Sequence, residues 1–146
     1  MLISQKTKYS LRGLFELAAR NTQEPVKVSE LAKTQNLPER FLEVIFAELK
    51  QAGIVESRRG NEGGYLLARP ASDITVGEII RFIQGPTGNH RGNEKADNAV
   101  FGDYAFGKLW DNIERVVSEI YDETTLSELV QEEIEYRHRY APNYAI

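Results

Sequence analysis

The order of apolar and polar residues predicts a chain of helices interrupted by one hairpin. Apolar residues recur at helical spacing in the segments 4–20, 29–36, 38–52, 76–84 and 104–122, and again from about residue 125 onward. Between the segments 38–52 and 76–84, short apolar runs at 54–55 and 65–68 flank a turn that contains several glycines. That arrangement is typical of a β-hairpin, because glycine accepts the backbone angles of a tight reversal. We therefore expect a mainly α-helical fold with a small β-hairpin.

Polar residues and helix breakers indicate where the first three helices begin and end. Ser4 is a candidate N-cap for the first helix and Ser29 for the second, since a hydroxyl can accept from free backbone N–H groups. Pro38 fits the first position of the third helix, and Gly53 fits its C-terminal end. A short extended segment is expected at 26–28. The short second helix, a turn and the third helix have the spacing of a helix-turn-helix.

Two further patterns divide the chain after the hairpin. Thr75 with Glu78, and Thr125 with Glu128, form capping-box sequences that would satisfy free N–H groups at the start of a helix. The segment 85–103 is rich in glycine and asparagine and predicts a loop. The segment 137–146 lacks periodicity and predicts an irregular tail. We therefore expect a domain at 1–84, the loop, further helices at 104–136 and the tail.

The helix at 104–122 carries an apolar stripe that must be buried against other apolar groups. The stripe comprises Phe106, Leu109, Trp110, Ile113, Val117 and Ile120. Packing within one monomer is one explanation. We favour pairing with a second copy, because the elements up to residue 84 already complete a core. The long added helix is then expected to form a homodimer.

Composition narrows the class of protein. The 146 residues are 41% apolar and 27% charged, which is ordinary for a globular protein. No apolar run is long enough to span a membrane, and the N-terminus lacks the apolar core of a signal peptide, so we expect a cytoplasmic protein. The chain has no cysteine, which excludes disulfides, thiolate ligands and a cysteine nucleophile. Its two histidines are far apart and lack neighbouring carboxylate clusters, so neither an enzyme nor a metal site is expected.

Charge is distributed unevenly along the chain, whose net charge is −4. Residues 1–84 hold 12 Lys and Arg against 10 Asp and Glu, whereas residues 85–146 hold 6 against 12. Binding to nucleic acid depends on a local positive face more than on the net charge of the molecule. The first part of the chain therefore remains a candidate for DNA binding.

A helix-turn-helix followed by a basic hairpin is typical of a winged helix that binds double-stranded DNA. Arg58, Arg59 and Asn61 lie at the predicted hairpin tip, which is the wing. We expect Arg59 to enter a narrow minor groove, where the negative potential favours arginine. An ion pair of Arg59 with Glu56 or Glu62 is the alternative. The glycines that would shape the turn are Gly60, Gly63 and Gly64.

Polar residues at the start of the third helix could reach base edges in a major groove. Glu39, Arg40 and Glu43 lie off the apolar face of that helix. Glutamate can accept from cytosine N4, and arginine can bond guanine or phosphate, while Val44 could contact a thymine methyl. A solvated side chain is the alternative for Glu43. Candidate phosphate contacts near the start of the first helix are Lys6, Lys8 and Tyr9.

A set of motifs at consistent spacing occupies the third helix, the hairpin and the fourth helix. They are Phe41-Leu-Glu43, Phe46, Leu49, Ala52-Gly-Ile-Val55, Ser57, Arg59-Gly60, Gly63-Gly-Tyr65, Leu67-Ala68 and Ile74-Thr-Val-Gly-Glu-Ile-Ile80. This pattern closely resembles the Rrf-type family of bacterial winged-helix regulators. Tyr9 fits the tyrosine in that family's first helix, and Leu109-Trp110 fits the start of its dimer helix. The resemblance covers most of residues 3–84 and implies a winged helix-turn-helix with a long C-terminal dimerisation helix.

One departure from the family pattern concerns cofactors. Cluster-binding members carry three cysteines before the dimer helix, the last of them six residues before a tryptophan, and some carry a histidine three residues before it. Counted back from Trp110, those positions hold Tyr104 and Gly107, and His90 is the only histidine nearby. Because iron–sulfur clusters need thiolate ligands, the chain resembles a cysteine-free branch of the family, and we expect no cluster.

The resemblance implies a sequence-specific transcriptional regulator, expected to be a repressor. It would bind a palindromic operator as a homodimer, with the third helix in the major groove and the wing in the minor groove. Two-fold symmetry would place the two recognition helices about 34–36 Å apart. A protein-interaction scaffold, or a regulator that is controlled by a partner and has no sensor cofactor of its own, is the alternative. The loop at 85–103 could bind a protein or small-molecule effector.

Overall fold

The architecture consists of six helices and one hairpin in the part of the chain that the computed structural model describes, residues 3–86 and 99–140. In chain order the elements are α1 (Gln5–Arg20), α2 (Val28–Gln35), α3 (Glu39–Gln51), β1 (Val55–Arg58), β2 (Gly64–Leu67), a short 3₁₀ turn (Ala71–Asp73), α4 (Val76–Gln84), α5 (Asp103–Glu123) and α6 (Leu126–Tyr140). The two strands pair antiparallel, with Val55 opposite Leu67 and Arg58 opposite Gly64. The mainly helical fold with a small β-hairpin is therefore confirmed. Most of the predicted loop at 85–103 lies outside the described residues.

Local capping explains where several helices begin. The Thr7 N–H donates to Ser4 Oγ over 3.1 Å at the start of α1, and the Glu78 N–H donates to Thr75 Oγ1 over 3.2 Å at the start of α4. At α6 the capping box is complete. The Glu128 N–H donates to Thr125 Oγ1 over 3.1 Å, and Glu128 Oε2 accepts from the Thr125 N–H over 2.8 Å. The predicted caps at Ser4 and Thr75 and the capping box at Thr125 are confirmed. At Thr75 only the hydroxyl half of the predicted box is found among the described residues, because the Glu78 carboxylate pairs with Arg69.

The start of α2 differs from the prediction. The helix begins at Val28, its N-cap is Lys27, and Ser29 lies within the first turn. The cause is a contact with the wing. The Val26 N–H donates to the Tyr65 carbonyl over 2.9 Å, and the Tyr65 N–H donates back over 2.8 Å. This bridge holds the chain extended only up to Lys27, so the helix can begin earlier than Ser29.

The start of α3 differs by one residue. Pro38 is the N-cap of α3 instead of its first helical residue, with ψ 118° in the extended region. Its carbonyl accepts from the Leu42 N–H over 3.1 Å. Gly53 follows the end of α3 with φ 74°, a left-handed conformation, and the predicted glycine termination is confirmed.

The last helix extends further than its apolar periodicity predicts. α6 continues through residues 137–140, which the sequence analysis places in an irregular tail. Polar and aromatic pairs one turn apart support this extension. Arg137 pairs with Glu133 over 2.8 Å, and the rings of Tyr136 and Tyr140 lie 5.2 Å apart. Residues 141–146, the rest of the predicted tail, lie outside the described residues.

The core lies between α1, α2, α3, α4, the wing and the start of α6. Its fully buried side chains include Leu14, Leu31, Leu42, Ile45, Phe46, Leu49, Ile54, Ile74, Ile79 and Leu126. A Cβ at Gly13 would lie 2.8 Å from the Phe46 ring, so this glycine allows α1 and α3 to pack closely. The Leu126 N–H donates to the Ile74 carbonyl over 3.0 Å, which attaches α6 to the core.

α5 differs from the other helices because none of its residues is buried. Its C-terminal end is nevertheless fixed to the winged part. The Val76 N–H donates to the Thr124 carbonyl over 2.9 Å, and Arg81 of α4 forms an ion pair with Asp122. The long helix is thus anchored at one end and leaves its apolar side uncovered.

Candidate nucleic-acid interface

The two faces of α3 differ. Its outward face carries polar and small side chains, and its inward face carries large apolar ones. Leu42, Ile45, Phe46 and Leu49 recur at helical spacing and are buried, so the positions between them turn outward. The exposed positions on this side are Arg40, Glu43, Val44 and Ala47, which follow the i, i+3, i+4, i+7 spacing of a single face. The pattern that fixes the core therefore also fixes which side chains of α3 face solvent.

The polar side chains at the start of α3 are directed to solvent. Glu39, Arg40 and Glu43 are exposed, and within residues 3–86 and 99–140 none of their side chains makes an ion pair or a hydrogen bond. Their hydrogen-bonding capacity is therefore available to a ligand. Val44 is 58% exposed beside Glu43, which places an apolar surface next to a hydrogen-bond acceptor.

The wing is a tight turn shaped by its glycines. The Gly63 N–H donates to the Gly60 carbonyl over 2.9 Å and closes the turn between β1 and β2. A Cβ at Gly63 would collide with the Arg58 carbonyl. Gly64 has φ 152°, and a Cβ there would collide with the Val26 carbonyl, which takes part in the bridge to Tyr65. Only glycine allows this close approach of the wing to the segment before α2.

The two arginines of the wing have different surroundings. Arg58 ends β1, and its Nη2 lies 4.0 Å from Glu56 Oε1. Arg59 follows in the turn, is exposed, and has no ion pair or side-chain hydrogen bond among the described residues. The ion pair that the sequence analysis weighed for Arg59 is thus found at Arg58 instead. Asn61 is exposed in the same turn.

The candidates from α1 lie on two different sides of that helix. Tyr9 packs edge-on against Phe41 of α3 with ring centroids 6.5 Å apart, and its hydroxyl accepts from Gln5 Nε2 over 2.9 Å. Lys8 lines a cleft between α1 and α6. Lys6 pairs with Glu48 of α3 over 2.6 Å. The structure therefore brings Tyr9 close to the start of α3 but separates Lys8 from it.

Phe41 is an exposed aromatic residue that the sequence analysis does not select as a contact. It is 63% exposed at the start of α3, although it directly precedes the buried Leu42. A weak sequence signal exists, because Phe41 lies outside the i, i+3, i+4, i+7 set of the core face. Its edge contact with Tyr9 depends on how α1 packs on α3, which periodicity alone does not give.

The apolar stripe of α5 forms a second surface. Leu109, Trp110 and Ile113 are each between 45% and 47% exposed, and the rings of Phe106 and Trp110 stack with centroids 6.4 Å apart. The remaining large exposed apolar residues of this helix are Tyr104, Phe106, Val116 and Ile120, while Val117 is partly buried. Roughly half of the surface of the central stripe residues stays exposed in the described part of the monomer, which favours a contact with a second copy over packing within one monomer.

The described residues include no group of three or more metal-ligating His, Cys, Asp or Glu side chains. The full sequence contains no cysteine. Tyr104 and Gly107 stand where the family pattern has ligands, and neither residue can supply a thiolate. His90 lies outside the described residues. Among the helices that the structure describes, none combines the length and the apolar character that crossing a membrane requires.

Comparison with known proteins gives a consistent result. Residues 3–132 match the Rrf2 family, described as iron-dependent transcriptional regulators. The HTH-type transcriptional regulator CymR of Bacillus subtilis (strain 168) is 37% identical over 129 residues, which cover 88% of this chain and 89% of CymR. The solved structure of CymR (YrzC), the global cysteine regulator of B. subtilis, superposes with a TM-score of 0.79 at 36% identity and covers 90% of this chain and 98% of that one. The solved structure of T. potens IscR gives a TM-score of 0.75 at 32% identity over 91% of this chain and 88% of that one.

Proposed function

The chain belongs to the Rrf2 family of HTH-type transcriptional regulators, and we propose that it binds a palindromic DNA operator as a homodimer and represses transcription. As a member of this family it is a regulator and not an enzyme. The observation that carries the proposed binding mode is Arg59, an exposed arginine at the tip of a glycine-shaped wing that has no side-chain partner in the part of the chain that the structure describes.

The wing is proposed to enter the minor groove. A narrow minor groove concentrates negative potential, and an arginine that has no carboxylate partner enters it without first breaking an ion pair. Arg59 meets that condition, whereas Arg58 lies within 4.0 Å of Glu56. We therefore assign the groove contact to Arg59, with Arg58 and Asn61 assisting through phosphates. Gly60, Gly63 and Gly64 would act by holding the turn in shape.

The outward face of α3 is proposed to enter the major groove. Glu43 has free acceptor oxygens that suit cytosine N4, and Arg40 has free donors that suit guanine or phosphate. Val44, directly beside Glu43, offers an apolar contact to a thymine methyl. Glu39 lies in the first turn, where a carboxylate also interacts favourably with the helix dipole. Tyr9, which packs on Phe41 at the start of α3, is proposed as a phosphate contact from α1, whereas Lys8 lines the α1–α6 cleft and stays a prediction from the sequence.

Dimerisation is proposed to occur through the apolar stripe of α5. The stripe is long, continuous and uncovered in the described monomer, and large exposed apolar patches usually mark association surfaces. A two-fold axis through this helix would place the two copies of α3 about one DNA turn apart, roughly 34–36 Å. That spacing matches successive major grooves on one side of the duplex.

Repression and the absence of a cluster are also proposals. A dimer that occupies an operator excludes other proteins from the same DNA without any further surface, and this favours repression. A chain without cysteine has no thiolates for an iron–sulfur cluster, and we propose a small molecule or a protein partner as its signal.

Footprinting tests the binding mode, on a DNA duplex that the purified full chain has selected from random sequences. We expect two protected major-groove half-sites one turn apart, each flanked by protection in the minor groove where the wing lies. A protein-interaction scaffold would leave the duplex without a footprint at protein concentrations too low for non-specific DNA binding. Protection of the half-sites without the minor-groove flanks would leave α3 in place and remove the wing from the proposal.

A further inference from the structure

A cleft between α1 and α6 lies outside the proposed α3 and wing surface. It has a volume of about 830 Å³, within the range of about 300–1,000 Å³ that is usual for small-molecule sites. One wall is a stripe of α1, the other a stripe of α6, and the turn between α2 and α3 closes one end. The cleft therefore borders the helix-turn-helix itself.

The lining of the cleft combines an apolar floor with free positive charge. Leu11, Phe15 and Leu129 are partly buried and form the apolar part. Lys8 and Arg12 lie on the same side of α1, because they are four residues apart, and both are exposed. Neither side chain has an ion pair or a hydrogen bond among the described residues.

The two cations lie side by side on α1, and neither has an ion-pair partner among the described residues. Like charges four residues apart destabilise a helix slightly, by about 0.2–0.5 kcal/mol, and a bound anion would remove that repulsion. On the α6 side, Glu133 is occupied by Arg137 over 2.8 Å, which leaves Glu132 as the one free carboxylate that lines the described cleft. Lys8, Arg12 and Arg137 exceed Glu132 and Glu133 by one positive charge, so an anion is favoured over a cation.

We propose that this cleft is an effector site for a small anionic molecule with an apolar body, such as a carboxylate or sulfonate that carries an aromatic ring. The anion would bind between Lys8 and Arg12, and the ring would lie on Phe15 and Leu129 beneath Tyr136. The apolar floor of the cleft would contact the apolar body of the ligand, and Lys8 and Arg12 would pair with its single negative group.

Residues of the helix-turn-helix couple the cleft to α3. Gln35 and Asn36, at the end of α2, line the cleft. Asn36 adopts a left-handed conformation with φ 53°, and the Leu37 N–H donates to the Ala32 carbonyl over 2.8 Å, so this turn determines where α3 begins. A ligand that contacts Gln35 and Asn36 differently in free and DNA-bound protein would change operator affinity. This regulatory part rests on the proposed DNA binding.

Binding is tested with anilinonaphthalene sulfonate, an aromatic anion whose fluorescence rises on an apolar surface, titrated into the purified full chain. Arg12→Gln and, separately, Tyr136→Ala should weaken its binding by roughly fivefold to tenfold, because each removes one contact with the ligand. Arg115→Gln is the control, since Arg115 is an exposed arginine on α5 that pairs with Glu119 and does not line the cleft. Lys8 is left intact because it is also a candidate DNA contact.

The experiments test ligand binding in the cleft separately from its effect on operator affinity. Weaker binding in Arg12→Gln and Tyr136→Ala, with Arg115→Gln unchanged and all circular dichroism spectra native, supports the cleft. Lack of saturable binding, or equal affinity in all four proteins, overturns it. Operator affinity measured with and without saturating probe then tests the coupling. A site that binds the probe without changing operator affinity refutes the regulatory part alone, and failure of the protein to bind DNA refutes only the proposed function.

Discussion

The Arg81 guanidinium at the end of α4 pairs with the Asp122 carboxylate near the end of α5. Gly77, one turn before Arg81, allows this contact, because a Cβ at residue 77 would collide with Asp122 Oδ1. The backbone hydrogen bond from Val76 to Thr124 lies beside the pair. Together these contacts fix the angle between the winged part and α5, so in a dimer formed through α5 they would also determine the distance between the two copies of α3.

Gly77→Ala tests this junction. The added methyl group must displace the end of the half-exposed Asp122 side chain, so the collision is relieved by breaking the pair with Arg81. An exposed ion pair contributes about 0–1 kcal/mol, which offsets the ~0.4–1 kcal/mol that alanine gains by restricting the unfolded chain. We expect little net change in the free energy of unfolding in urea at fixed protein concentration. In an Asp122→Ala background there is no pair to lose, so the same substitution should be stabilising. Equal changes in both backgrounds would mean that Asp122 is not the group displaced.

Arg59→Ala tests the wing contact. Loss of a specific arginine contact should weaken operator binding by about 1–3 kcal/mol, measured by fluorescence anisotropy at constant salt. The preference for a narrow minor groove beside each half-site should also decrease. Arg115→Ala removes the same charge from α5 and should leave affinity unchanged. Equal affinities for wild type and Arg59→Ala would remove Arg59 from the interface.

Ile113→Glu tests dimerisation through α5. A charge at this position of the stripe would have to be buried in the interface without a partner, so we expect the protein to become monomeric in sedimentation velocity experiments. Asn112→Glu places the same charge on the neighbouring exposed residue and should leave the dimer intact. Operator affinity should fall in Ile113→Glu because the second half-site contact is lost. A dimer that survives Ile113→Glu would place the interface elsewhere.

Gly64→Ala and Gly60→Ala separate two reasons for glycine in the wing, which are the positive φ angle and the lack of space for a Cβ. Both glycines have positive φ, 152° at Gly64 and 111° at Gly60. A Cβ at Gly60 meets open space, so alanine there adds only backbone strain of about 1–2 kcal/mol. A Cβ at Gly64 also collides with the Val26 carbonyl, so the loss should be larger. Urea unfolding measures the order, and a Gly60 variant less stable than the Gly64 variant would contradict it.

Anaerobic purification after expression with added iron tests the expected absence of a cluster. Without thiolate ligands the protein should lack the visible charge-transfer absorbance of an iron–sulfur centre. Protein with such a band, in stoichiometric amount and with matching iron and sulfide content, would show that other ligands hold a cluster.

Local sequence rules predict the elements whose ends depend on their own residues. The N-caps Thr75 and Thr125 and the glycine after α3 lie where the sequence places them. The start of α2 is different, because the bridge between Val26 and Tyr65 joins residues far apart in the chain. Periodicity carries no information about such a pairing.

In the candidate interface, too, some features follow from the local sequence and others depend on packing. The outward position of Glu43 follows from the apolar spacing of α3, so the sequence predicts its exposure. The ion pair of Arg58 with Glu56 follows from strand alternation, because residues two apart in β1 share a face. The position of Lys8 in the α1–α6 cleft depends instead on how α6 packs, which is a tertiary contact that a pattern of residue types does not specify.

Selection of binding sites from random duplex DNA by the purified full chain decides whether this chain is a dimeric DNA-binding protein that uses α3 and the wing as its contacts. We expect enrichment of a palindrome with half-sites about one helical turn apart and A/T-rich flanks at the wing positions, together with affinity that falls steeply as salt is raised. Absence of any enriched sequence at low salt would show that α3 and the wing do not recognise a DNA sequence and would favour a protein-interaction scaffold.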